Sequence, residues 1–408
     1  MASSSNNFSD TLNANFKEVY ADNIENLIPE GVKLVNKISF SSRDRQLGNL
    51  YHQPVILGHE HGVTFAGPTD DAFNLQAPVS GLIRDAQVRG SQMVLRSVLG
   101  YAAAARAAGG GQKAFEDSTK FLVSNMLRSM AKKLEMVMLY GQEGLAKVAS
   151  TSGAVITITT AEWAPGIWAG ANNMPIEIRD ATGATSRGFA SISSVDMTAR
   201  TITVDSIPAG VVATDIIWHK GQYGNDFAGV HKILTNTGSI FGINAGTYDL
   251  FKGNSYVISP AGALSFAAMQ EAVARAVEKG LDSDVMVLVN PRSWADLLTE
   301  QSALRQYDSS YRSSVTENGA QEITFFAQNG KVEIVPSIYV KEGYSYVMCL
   351  DEWLRIGSTD ITFKRPGQGS EFFRELENSA GYELRSYTDQ ALFCYAPGKN
   401  TLISGISN

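Results

Sequence analysis

Residues 114–140, AFEDSTKFLVSNMLRSMAKKLEMVMLY, form the longest stretch of uninterrupted helical character in the chain, with no Pro and no Gly. Val123, Leu127, Met130, Leu134 and Val137 recur at the three-then-four spacing of a helix buried along one stripe, and Leu122, Met126 and Met138 flank them. Glu116 and Asp117 stand in the first turns and Lys132 and Lys133 nearer the end, as the helix dipole favours. Gly109-Gly110-Gly111 breaks the chain before the stretch, and Gly141 is placed for the left-handed residue that ends a helix. Such a helix is a rod of roughly 40 Å, longer than a compact domain needs, so something extended has to be built along it. The stripe lasts only about two heptads, short of what sustained coiled-coil pairing requires. Its polar face carries Ser, Lys and Arg without clustered carboxylates or histidines, which marks the helix as scaffolding.

Around it the chain changes character several times. Residues 9–28 fit a short amphipathic helix with Phe16, Val19, Tyr20, Ile24 and Leu27 on one side, ended by Pro29; alone it would fray, so its apolar side needs a host surface. From Leu50 to Leu99 two strand-like segments, LYHQPVIL and QVRGSQMVLRSVL, flank a Gly- and Pro-rich loop. Two strands are marginal in water by themselves, so this hairpin-like excursion has to lie on a neighbour. Residues 151–220 alternate as a separate small β unit, with AVITITT, a turn at Thr182-Gly183 and ARTITVDSIPAG, and its two ends return to one place, as in an insertion. Residues 221–350 are mixed. A helix over 263–279 turns Ala268, Met269, Ala272, Val273, Ala276 and Val277 inward and stops at Gly280; strand VMVLV follows; Asn290-Pro291 caps a helix through Trp294, Leu297 and Leu298; and ITFFAQ-NG-KVEIV is a hairpin on Asn329-Gly330. Strands SYVMCL, YELRSY and QALFCYA close the chain.

The 408 residues are enough for two or three domains with real cores. Charged residues are only 18%, against about a quarter in an ordinary domain, which suggests that much surface is covered by other protein, most simply by further copies. The net charge of −7 leaves no overall electrostatic footprint for nucleic acid. The first 30 residues hold Asp10, Glu18, Asp22, Glu25 and Glu30 against Lys17, the opposite of a basic genome-condensing arm. Cys349 and Cys394 imply no disulfide framework and suit a reducing compartment. The N-terminus lacks an apolar signal core and no run approaches a membrane span, so a soluble cytoplasmic product is expected.

Chemistry has little foothold. His59-Glu60-His61 is the sole histidine cluster; neighbours at i and i+2 share a strand face, yet a third metal ligand is not evident. His52, His219 and His231 are scattered and fit plain polar roles. Gly109-Gly110-Gly111-Gln112-Lys113 lacks the glycine spacing and preceding strand of a phosphate loop and suits a hinge. There is no nucleophile elbow, Cys-x-x-Cys or dinucleotide fingerprint, so no catalytic, cofactor or metal residue is assigned.

The order of these parts, with the helix ending in LYGQEG, then VNPRSWADLL, KVEIVPSIYVKEG and QALFCYAPGKNTLI, resembles tailed-bacteriophage major capsid proteins. Their Hong Kong 97 type fold is shared with encapsulins and the herpesvirus capsid floor. The resemblance covers most of residues 9–150 and 221–403 and implies an α+β fold laid out as an N-terminal arm (1–49), an extended loop (50–105), a peripheral domain with the spine helix (106–150), a β-rich insertion (151–220), an axial domain (221–350) and return strands of the peripheral domain (351–408). It implies a major capsid protein that assembles into hexamers and pentamers, closing an icosahedral shell around double-stranded DNA in the host cytoplasm. Scaffold, portal and decoration proteins are further partners; no membrane and no sequence-specific DNA contact are expected. An encapsulin-type compartment is the rival in the same class, and a tail or adhesion module, suggested by the β unit, is the rival outside it.

Two departures from the family stand out. Its best-known chemistry joins a lysine of the extended loop to an asparagine of another subunit, but no lysine lies between Ile38 and Gln112. Arg84, Arg89, Arg96 and Arg106 supply the cations, and a guanidinium cannot act as that nucleophile, so a non-covalent shell is expected. Arg84, Arg89 and Arg96 are the candidates for pairing with acids of an adjacent subunit. The arm is also far shorter than the hundred-residue scaffold segment that some members carry, so guidance would come from a separate scaffold protein or from none, and the N-terminus is expected to be kept. Net negative charge suits a wall to which packed DNA must not stick.

Overall fold

The computed structural model describes residues 31–41, 50–69, 72–100, 112–305, 323–364, 373–375 and 381–407. The expected helix over 9–28 and the Gly109-Gly110-Gly111 hinge lie outside them. The chain opens with a one-turn helix α1 (Leu34–Lys37), then the ribbon β1 (Tyr51–Gly58) and β2 (Leu82–Val88), and strand β3 (Ser91–Gly100). The ribbon is a two-stranded antiparallel sheet joined to no other strand. The segment QVRGSQMVLRSVL divides at Arg89-Gly90: its first part pairs with β1, whereas β3 enters another sheet. The two-stranded ribbon itself runs from Tyr51 to Val88.

The long helix α2 spans Gln112–Tyr140. Met126, Met130, Leu134 and Val137 are buried as the spacing requires, but Leu127 is exposed, and from Leu134 to Tyr140 every residue is buried. A stripe thus widens into a fully enclosed C-terminal half, because other elements close round it from several sides. Gly141 does end the helix, but the left-handed residues are Gln142 and Gly144. Glycine is needed at 141 for a different reason: a Cβ there would stand 2.1 Å from the Phe227 carbonyl oxygen.

The β unit is a closed six-stranded barrel of β4 (Ala146–Ser152), β5 (Val155–Ile158), β6 (Pro175–Arg179), β7 (Ser186–Asp196), β8 (Thr201–Val204) and β9 (Ile216–His219). β4 pairs with β9, so entry and exit are adjacent. The inward residues Ile156, Ile158, Ile176, Ile178, Ile202 and Ile217 fill it, as a small barrel demands. The short helix α3 (Pro165–Trp168) closes one end with Trp168 stacked on Trp163 at 6.0 Å between centroids. This interior is continuous with the core around α2 rather than separate from it. Helix α4 (Val230–Thr235) and the small pair β10 (Ser239–Ile240) and β11 (Ile243–Asn244) lead onward.

A six-stranded mixed sheet follows, ordered β12 (Asn254–Gly262), β20 (Thr401–Ile406), β16 (Tyr344–Met348), β13 (Val285–Val289), β15 (Gly330–Pro336), β14 (Ile323–Ala327). In β13 every residue is buried: Val285, Val287 and Val289 face a core beneath α5 (Phe266–Val277), while Met286 and Leu288 face the core around α2. That is the two-residue period of a strand covered on both faces. Ser265 caps α5, accepting from the Ala268 N–H at 3.2 Å, and Asn290 caps α6 (Pro291–Arg305), accepting from the Arg292 N–H at 3.0 Å. Ala327 pairs with Gly330, so the hairpin turn sits on Gln328-Asn329, one residue earlier than expected. Two other expectations shift. YELRSY and QALFCYA are one strand, β19 (Gly381–Cys394), which pairs with β3, with β17 (Trp353–Thr362) and with β18 (Phe373–Glu375). The last strand, β20, does not return to that sheet; it runs parallel to β12 inside the six-stranded one.

Candidate functional site

Three places gather chemistry. The first is a buried polar junction where the end of α2 meets the barrel and the six-stranded sheet. Tyr140 donates its hydroxyl to the Tyr339 carbonyl at 3.0 Å and accepts from the Lys341 N–H at 2.8 Å. Lys341 Nζ lies 2.6 Å from Glu162, which also accepts from Tyr344 at 3.0 Å and has Lys147 at 3.3 Å. Burial alone would raise the Glu162 carboxyl, but the Lys341 and Lys147 ammonium groups outweigh it and hold it at about 2. Burial, reinforced by Lys341, brings His231 down to about 4, so its ring is neutral and shares a 2.9 Å hydrogen bond with the Tyr346 hydroxyl. Every charge here is paired within the chain, which makes a rigid joint and leaves no free nucleophile or acid.

The second place is Glu135, enclosed on α2. Its two carboxylate oxygens accept from the N–H groups of Lys33, Leu34 and Val35, each at 2.9 Å. A helix start leaves such donors without partners, so Glu135 caps α1 from a different element. Burial raises its carboxyl despite these bonds. Arg355 completes the clamp: its Nε donates to the Ile38 carbonyl at 2.8 Å, and Phe40 bridges to Arg355. The point at which the N-terminal segment joins the long helix is thereby fixed.

The third is a cavity of about 480 Å³ beside α2, lined by Lys133, Val137, Met174, His219 and Phe227 among others. Lys133 Nζ lies 3.2 Å from Met174 Sδ and 3.4 Å from both ring nitrogens of His219. Burial, with Lys132 adding repulsion, lowers Lys133 to about 8, and burial beside Lys133 pushes His219 far below its ordinary value. No carboxylate among the described residues pairs with Lys133.

The sequence pointed elsewhere. His59, Glu60 and His61 are exposed on the loop of the ribbon, and no group of three or more metal-ligating side chains exists among the described residues. His52 pairs with Asp85 at 2.6 Å, while His219 and His231 are half-buried, His219 beside Lys133 and His231 against the Tyr346 hydroxyl. The three arginines are not brought to one site. Arg84 on β2 donates to the Tyr248 hydroxyl at 3.1 Å, and Arg96 on β3 lies 3.1 Å from Glu383 of β19. Arg89, exposed, borders a polar cavity of about 830 Å³. Glu135 and Lys133 were legible only as members of a scaffolding helix. A signal did exist: an acid inside an apolar run demands a buried partner.

A ribbon outside any larger sheet, a long helix enclosed at one end, a barrel grown from that end and a six-stranded sheet beyond it make up one α+β architecture. The chain has the α+β fold of tailed-phage major capsid proteins. A chain of the cyanophage A-1(L) capsid asymmetric unit superimposes with a TM-score of 0.60 at 11% identity, covering 98% of this chain and 100% of that one. Mycobacterium phage Bobi aligns at 8% identity and a TM-score of 0.48, over 98% of each chain. The holo-SrpI encapsulin complex of Synechococcus elongatus aligns at 9% and 0.45, over 94% of this chain and 92% of that one. Scores that low add nothing to the fold assignment. No family model and no curated protein matches the sequence.

Proposed function

We propose that the chain is a major capsid protein, copies of which associate into hexamers and pentamers and close an icosahedral shell around double-stranded DNA. The observation that carries this is a capsid-subunit fold over nearly the whole chain. The surface supports it: Phe65 is 91% exposed, Leu75 79% and Ile56 69%, all on a two-stranded ribbon and its loop that join no larger sheet. Apolar skin on an unsupported ribbon calls for a protein cover. The ribbon is the extended loop, the region about α2 and β3 with β17–β19 the peripheral domain, the barrel an insertion, and the six-stranded sheet the axial domain. Scaffold, portal and decoration proteins are the further partners, and assembly takes place in the host cytoplasm.

The contacts are non-covalent, since the ribbon carries arginines and no lysine. Arg84, Arg89 and Arg96 contribute to them. A guanidinium has five donors, so the in-chain partners of Arg84 and Arg96 leave donors over for an acid of an adjacent copy. Arg89→Glu is the cleanest test, and wild-type yield and melting of the particles would remove it from the contact. The function itself is tested by negative-stain microscopy and size-exclusion chromatography of the chain expressed alone and with its neighbouring genes. Closed shells or capsomer rings are expected; a discrete monomer in both settings would overturn the reading. A portal and a terminase among the neighbouring genes are expected, and protein cargo in their place would identify an encapsulin-type compartment.

A further inference from the structure

The cavity beside α2 is open to solvent and, at about 480 Å³, has the size of a small-molecule site. Lys133 lies half-buried in its wall, and its Nζ meets neutral acceptors: Met174 Sδ at 3.2 Å and the two ring nitrogens of His219 at 3.4 Å. His219 is itself neutral, since burial beside Lys133 pushes it far below its ordinary value. Two further titratable groups line the cavity, and neither is an ion-pair partner of Lys133. Asp226 has its Oδ2 engaged by the Gln142 N–H at 2.9 Å and by Gln222 Nε2 at 2.8 Å. Lys220 is a second cation, placed over the Phe189 ring at 5.1 Å.

Such a setting favours the free amine over the ammonium. Burial, with the charge of Lys132 beside it on α2, brings Lys133 down to about 8. An ordinary exposed lysine near neutral pH is almost wholly ammonium and has no lone pair to offer. Lys133 therefore holds a larger share of the nucleophilic form, next to a space that a small electrophile can enter. Val137, Met174, Pro175 and Phe227 line that space and suit a short acyl chain.

We propose that Lys133 is a preferential acylation site of the folded chain, with a small acyl phosphate as the donor. The neutral Nζ attacks the acyl carbonyl carbon, an N–C bond forms and the C–O bond to phosphate breaks. The phosphate leaves with the electron pair of that bond, the nitrogen gives up one proton to water, and nothing is oxidised or reduced. Lys220 supplies a cation in the same cavity for the phosphate group. The product is an amide, so the enclosed charge and its cost disappear together. The site goes beyond the shell reading and stands whether or not copies assemble.

The test uses the soluble full-length chain, treated with acetyl phosphate at about pH 7.5 and followed lysine by lysine with peptide mass spectrometry. Lys133 is expected to react at least fivefold faster than Lys147, whose side chain is 46% exposed, and than Lys220 in the same cavity. Its rate should reach half of its plateau near pH 8, and the preference should vanish in urea. Equal rates for the three lysines in the folded chain, or an undiminished preference in urea, overturn the proposal. Acetylation should also raise the melting temperature of the wild-type chain and leave that of Lys133→Gln, which already lacks the charge, unchanged. An equal rise in Lys133→Gln would place the effect at other lysines and overturn it as well. If Lys133→Gln fails to fold, the labelling rates decide alone.

Discussion

Glu135 is the single side chain on which the N-terminal junction depends. Replacing it with Ala leaves three enclosed N–H groups without an acceptor, and a loss of about 2–4 kcal/mol is expected in urea denaturation of the subunit. Glu135→Gln, which keeps one acceptor oxygen, should lose less. The polar joint gives the fold a pH profile. Glu162 titrates at about 2 in the fold against an ordinary 4.5, so its contribution is complete above 4.5 and is lost as pH falls toward 2. His231 titrates at about 4 against 6.5; below 6.5 the unfolded chain takes up the proton first, so stability falls from pH 6.5 down to 4. Both slopes have the same sign, opposed only above pH 4.5 by the raised Glu135 carboxyl, so melting temperature should rise between pH 3 and 4.5 in the wild type and between pH 3 and 6.5 in Glu135→Gln; a flat profile in both would contradict the burial of Glu162 and His231. Lys133, at about 8 against 10.5, behaves as an uncompensated cation: stability should rise again between pH 8 and 10.5. Lys133→Met should therefore stabilise the isolated subunit at neutral pH by about 1–3 kcal/mol.

At the scale of elements, α2 is held less by its own stripe than by what crosses its C-terminal end. The backbone at 227–229 runs against it so closely that the Gly229 N–H donates to the Gly141 carbonyl at 3.0 Å, and a Cβ at 141 would also meet the Val137 carbonyl oxygen at 2.7 Å. Gly141→Ala should cost about 3 kcal/mol, visible in thermal unfolding, because both partners are backbone and neither can swing away. Gly153, with open space around it, should tolerate Ala at the smaller cost of its left-handed backbone alone. Strand β13 shows why sheet order was harder to read than strand existence. Five buried residues in a row announce a strand with two covered faces, but nothing in VMVLV states that β15 lies on one side and β16 on the other.

At the scale of the whole molecule, the ribbon and the barrel stand in different energetic positions. The barrel closes on itself and shares the central core. The ribbon leaves Phe65, Phe73 and Leu75 exposed on its loop, the surface that the proposed assembly would cover. Assembled particles should therefore run as a single subunit-sized band on a denaturing gel, with no ladder, and protect residues 59–79 from limited protease far better than the free subunit does. A ladder of linked copies would contradict the non-covalent contacts.

Periodicity and turn chemistry alone carried the long helix, the cap at Asn290, the β nature of 151–220 and the two hairpin strands between Ile323 and Pro336, whereas the helix expected from 263 begins only at Phe266, after the Ser265 cap. These are set within a few residues, by local sterics and by which face must be dry. The ordered parts also resembled the capsid fold before any coordinate was known. Tertiary structure alone decided where β3 and β20 pair, since β3 lies against β19 from the far end of the chain and β20 lies between β12 and β16, which precede it in different parts of the sequence. It likewise decided the roles of Glu135, His231, Glu162 and Lys133. A charge on a helix or a strand has no fixed meaning until packing removes water from it; then its partners determine whether it caps a helix or locks a joint.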